Sequence, residues 1–109
     1  MINSTQSADP SRITVEIDSD LEDIVPGFLD NRRRDVDTLR QALPTKDWKT
    51  VRMLGHRMKG DGGGYGFDAI STIGDIIERA ALREDQATVT EQIAALTNFL
   101  ARVEVVYRK

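Results

Sequence analysis

One histidine, a lysine three residues on and a cluster of glycines set Leu54 to Gly66, LGHRMKGDGGGYG, apart from the rest of this 109-residue chain. His56 is its single histidine. A neutral imidazole nitrogen is a nucleophile at physiological pH. Glycine inside a helix is unfavourable by roughly 1 kcal/mol relative to alanine. Several glycines at helical spacing therefore point to a use other than helix formation.

At roughly 100° per residue, Val51, Leu54, Gly55 and Met58 share one face, and His56 lies about 140° away from it. The apolar face turns inward, so the imidazole turns to solvent. Arg52 lies one turn before His56 on its side. Lys59 and Gly60 lie one turn after it, and Gly63 and Gly64 two turns after. The histidine is thus flanked by a bare backbone strip and edged by cations.

Other chemistries fit these residues poorly. A metal site needs several ligands at matched spacing, and one histidine without cysteine does not supply them, so none is expected. Ser4, Ser7, Ser11, Ser19 and Ser71 sit in no context that would make a nucleophilic triad. KGDGGGYG lacks the order of a phosphate-binding loop, and no strand precedes it. What remains is a phosphoryl acceptor. His56 would take the group, and Lys59 would offset charge on its oxygens. Arg52, Gly60, Gly63 and Gly64 would form a face on which a partner closes. Plainer readings compete. A lone histidine is more often an ordinary surface group. Gly62 to Gly66 can be a turn, with Gly66 at or near the helix end. Arg52, Arg57 and Lys59 can be a solvated face.

The elements that hold this stretch read as helices. Leu21, Ile24, Val25, Phe28 and Leu29 repeat at helical spacing, and Val36, Leu39 and Leu43 extend the stripe. Pro26 interrupts it, which predicts a short helix running into a longer one, or a kink. Pro44 ends that element. A second helix should start near Asp47, with Trp48, Leu54 and Met58 buried. A third should start near Phe67 or Asp68, with Ile70, Ile73, Ile77, Ala80 and Ala81 inward. A fourth should start near Asp85, its stripe running Val89, Ile93, Leu96, Leu100, Val103 and Tyr107. Short connections make neighbours antiparallel. The expected fold is all-α, an up-and-down antiparallel four-helix bundle over residues 13–109 with a short or kinked N-terminal helix. Residues 1–12 are polar and read as a disordered arm. Ile13, Val15 and Ile17 alternate with polar residues as in a short strand, but no partner strand is evident.

Composition narrows the function classes. With 30% charged residues, a net charge of -3 and a pI near 5.1, nothing favours nucleic acid or an anionic membrane. No apolar run approaches the roughly 20 residues of a membrane span. Without cysteine there are no disulfides, which fits a reducing compartment and a cytoplasmic protein.

His56, Lys59, Gly60 and Gly66 reproduce a pattern of histidine, lysine three on, glycine four on and glycine ten on. In this the chain resembles the histidine phosphotransfer family of two-component signal transduction. The likeness runs from about Asp20 onward, through PGFLDNRRRDVDTLRQAL, the Asp47–Trp48 pair and GFDAISTIGDIIERAA. It implies a left-twisted antiparallel bundle with His56 exposed midway along the second helix. It implies phosphoryl exchange between His56, through Nε2, and an aspartate on a response-regulator receiver domain, with a sensor histidine kinase upstream. The partner would supply Mg²⁺ and the carboxylates. The chain would act as a monomeric phosphocarrier, without a nucleotide-binding kinase module or a cofactor of its own. Position 61 departs from the pattern: the family often has a small residue there, and this chain has Asp61. An acid at that place either tunes the lifetime of the phosphorylated form or points aside. The alternative to phosphotransfer is a four-helix adaptor that docks a signalling partner on the glycine-lined face without chemistry.

Overall fold

The computed structural model describes residues 11–109. The arm expected over residues 1–12 lies outside that range except for Ser11 and Arg12. The elements run β1 (Ile13–Asp18), a 3-10 turn (Ser19–Leu21), α1 (Val25–Ala42), α2 (Trp48–Tyr65), α3 (Asp68–Leu82), α4 (Gln86–Arg102) and β2 (Val103–Arg108). The four helices form the bundle. Among the described residues no helix is long and apolar enough to cross a membrane.

Local chemistry explains the helix ends. Pro26 lies in the first turn of α1, where its missing N–H is no loss, so it starts the helix instead of kinking it. The 3-10 turn over Ser19–Leu21 is the short helix that precedes it. Asp47 caps α2 by accepting from the Thr50 N–H at 3.2 Å and the Thr50 hydroxyl at 2.7 Å. Asp85 caps α4 in the same way, accepting from the Thr88 N–H at 3.1 Å and hydroxyl at 2.7 Å. These bonds hold both carboxyls below the usual aspartate range. α2 ends at Gly66, whose φ of 89° is the left-handed conformation that glycine adopts without penalty.

The core follows the helical stripes. Leu39, Val51, Met58, Phe67, Ile70, Ile77, Val89 and Leu96 are fully buried. Leu54 is buried as expected, whereas Trp48 is half-buried, packed on the rim of the core at the first residue of α2. Phe28 joins α1 to the end of α2, stacking on Tyr65 at 4.4 Å and on Phe67 at 5.3 Å between ring centroids.

The fourth helix is shorter than its stripe. Val103 and Tyr107, expected on α4, belong to β2, which pairs in parallel with β1 from Ile13↔Val103 to Asp18↔Arg108. The alternation of Ile13, Val15 and Ile17 did mark a strand, and its partner stands at the far end of the sequence. Val103 and Tyr107 are four apart and so fit a helix as well as an alternating strand. The β-branched Val103, Val105 and Val106 favour the strand.

Candidate functional site

The site is built where α2 crosses α3. A Cβ on Gly55 would stand 2.6 Å from the backbone nitrogen of Glu78 and 2.8 Å from the oxygen of Gly74. A Cβ on Gly74 would stand 2.5 Å from the nitrogen of Lys59 and 2.7 Å from the oxygen of Gly55. Side chains at either position would push the two backbones apart. Seven residues on from Gly55, Gly62 makes a second close approach, 2.6 Å from the nitrogen of Ser71 to where its Cβ would be. The Ser71 hydroxyl donates to the Lys59 carbonyl at 2.8 Å, across the same seam.

This approach brings the polar edge of α3 against His56 and Lys59. The imidazole is 72% exposed, and its Nδ1 lies 3.0 Å from Oε2 of Glu78, which is only 19% exposed. A carboxylate acceptor at Nδ1 favours the tautomer with the proton there, leaving the Nε2 lone pair free. Lys59 Nζ lies 3.1 Å from Asp75 Oδ1, and Arg79 Nη2 lies 2.9 Å from Asp75 Oδ2. The hydrogen bond from Lys59, with the charge of Arg79 behind it, holds the Asp75 carboxyl below its usual range. An exposed histidine, oriented through one nitrogen and open at the other, thus stands one turn from a cation.

Comparison with protein families matches residues 23–105 to the Hpt domain. The chain belongs to the Hpt domain family. Hpt domains are phosphocarrier modules that act in phosphorelays with receiver domains and kinases, and the match covers all four helices. Neither the curated proteins nor the solved structures compared returned a match.

Around His56 the Hpt domain presents a shallow depression lined by Lys49, Arg52, Met53, Arg57 and Glu78. Arg52 therefore does share the histidine's side, and Met53 adds an exposed apolar group. Gly60 and Gly64 are exposed, with no atom within 4 Å of where a Cβ would lie. Gly63 is exposed too, with the Ser71 hydroxyl at 3.7 Å. Gly63, Gly64 and Gly66 border a second depression with Glu16, Asp18 and Arg108 of the strand pair. The glycine strip thus runs from the histidine to the sheet.

Asp61 points aside. Its Oδ2 lies 3.6 Å from Nη1 of Arg32 on α1, and Arg32 Nε lies 2.8 Å from Asp35 Oδ2. Arg32 is buried, with its guanidinium 4.8 Å from the centre of the Phe28 ring. Burial pushes the Asp35 carboxyl up despite this partner. Asp61 thus adds a second negative charge beside a buried cation.

Sequence reasoning missed Glu78 and Asp75, the two acids that hold His56 and Lys59. On a helical wheel of α3 both are ordinary polar-face residues. The available signal was Gly74, a glycine in mid-helix that matches Gly55 on the helix before it.

Proposed function

We propose that this Hpt domain is a phosphorelay intermediate that accepts a phosphoryl group on Nε2 of His56 and passes it to a response regulator. The observation that carries the reading is the His56–Glu78 pair: a largely exposed imidazole whose Nδ1 is engaged by a carboxylate, leaving Nε2 as the nitrogen for attack. The donor is the aspartyl phosphate of a receiver domain, or a sensor kinase. The Nε2 lone pair attacks phosphorus as the bond to the aspartate oxygen breaks, and the carboxylate leaves with that electron pair. The ring gains positive charge, which the Glu78 carboxylate offsets through Nδ1–H. The same step in reverse delivers the group to the next aspartate.

Lys59 would steady the phosphoryl oxygens from one turn away. It is held by Asp75 in the free protein and would have to share that bond or leave it. Lys49, Arg52 and Arg57 would favour approach of an acidic surface. Gly60, with Gly63 and Gly64, would let the partner's backbone close over the ring. A magnesium ion and the receiving carboxylates would belong to the receiver domain, not to this chain. Such a relay would act in the cytoplasm, where its partners would be met.

Incubation with a phosphorylated receiver domain tests the proposal. Acid-labile, base-stable label should appear on this chain and should be absent from His56→Gln, whose melt should match the parent's because the residue is exposed. Equal labelling of the two proteins would refute it.

A further inference from the structure

We infer that two copies of this chain associate through the free edge of β2, extending the strand pair into a four-stranded sheet. Among the described residues β1 and β2 form a two-stranded sheet, so each has one edge with no described strand beside it. A two-stranded sheet is marginal by itself, and an open edge is a template for another strand. The inner residues Ile13, Val15, Ile17, Val103, Val105 and Tyr107 pack on the core, leaving Glu104, Val106 and Arg108 as the outer face of β2.

Charge selects both the edge and the occupant. Two β2 strands set antiparallel about a twofold axis at Val106 place Glu104 opposite Arg108 of the second copy, Val106 opposite Val106, and Arg108 opposite Glu104. Each opposed pair is then complementary, as an isologous interface requires, and such cross-strand pairs are favourable. The pairing also keeps the apolar faces of both sheets on one side, because residues of like parity face each other. Val106, 45% exposed, would be covered. β1 cannot do this. Its outer face carries Thr14, Glu16 and Asp18, two acids and no base, so a second β1 would meet like charge.

The pairs already present extend the pattern. Arg12 Nη1 lies 2.9 Å from Glu104 Oε2, and Arg108 Nη1 lies 3.3 Å from Glu16 Oε1. Across the proposed interface the order becomes Arg12, Glu104, then Arg108 and Glu16 of the second copy, alternating in sign throughout. A dimer of this kind would replace the monomer expected from the family resemblance.

The test uses sedimentation of the whole chain and of two charge variants. Glu104→Arg carries two cations on the outer face of β2, and Arg108→Glu carries two acids. The parent should dimerise. Each variant alone should be monomeric, with a dissociation constant raised roughly tenfold or more, and an equimolar mixture should recover the dimer as a heterodimer. Misfolding cannot produce that recovery. The chain has no cysteine, so Val106→Cys should form a covalent dimer on mild oxidation, since directly opposed residues bring their Cα atoms within disulfide range. Thr14→Cys should not. A parent that stays monomeric, a dimer indifferent to both charge changes, or a mixture that stays unpaired would overturn the inference.

Discussion

Two sets of glycines on α2 lie within a few residues of each other and meet opposite surroundings. Gly55 and Gly62 are buried where α3 crosses, and a Cβ on either would press on its backbone at 2.6 Å. Gly60 and Gly64 face solvent, where a Cβ would meet nothing within 4 Å. The inner set lets two helices approach until Glu78 reaches His56. The outer set is not explained by packing, and helix propensity opposes it. One residue type thus lines an internal seam and an uncovered outer strip, distinguished only by which side of the helix it occupies.

The sharpest way to break this comparison is to fill the seam. Gly74→Ala should destabilise the domain by about 1–3 kcal/mol, as overpacking does when backbone stands in the way, and a denaturant melt reads this. Transfer should also slow, because Glu78 would move off His56. An unchanged melt would mean that the close approach relaxes freely. Next is Gly60→Leu, which should leave the melt within about 0.5 kcal/mol of the parent, as surface changes usually do, yet block phosphotransfer from a receiver domain. Retained transfer would mean the strip is not a landing surface.

Glu78→Gln sharpens the link between seam and site. It keeps an acceptor for Nδ1 but removes the charge, so transfer should be slowed but not lost, with the fold intact. The check is single-turnover transfer beside a thermal melt. The smallest effect belongs to Gly60→Ala, which should raise stability by a few tenths of a kcal/mol, up to about 1, by relieving an exposed helical glycine. A loss in that melt would move Gly60 into the packing set.

The bundle was readable because its signals are local. Asp47 and Asp85 each stand three residues before a threonine that they cap, and Gly66 marks the end of α2. His56 was legible from the wheel alone, since its exposure follows from the apolar residues around it. Glu78 was not, because its approach to His56 depends on how far apart two helices sit, and Gly55 and Gly74 set that distance together. Gly62 stands in a glycine run that fits a turn equally well in sequence, although it packs against Ser71. The sheet was hidden for a related reason. Ile13, Val15 and Ile17 alternate plainly, but a strand is defined by its partner, and Val103 to Arg108 lie at the other end of the chain.

That separation bears on the order in which the molecule assembles. α2 and α3 are neighbours in sequence and can find each other early, at small loop-closure cost. The Ile13↔Val103 pairing closes almost the whole chain and gains little until the helices between are in place. The strands should therefore be the last native structure to form and the first to open, and hydrogen exchange should find their amides exchanging ahead of those that hold His56 in α2.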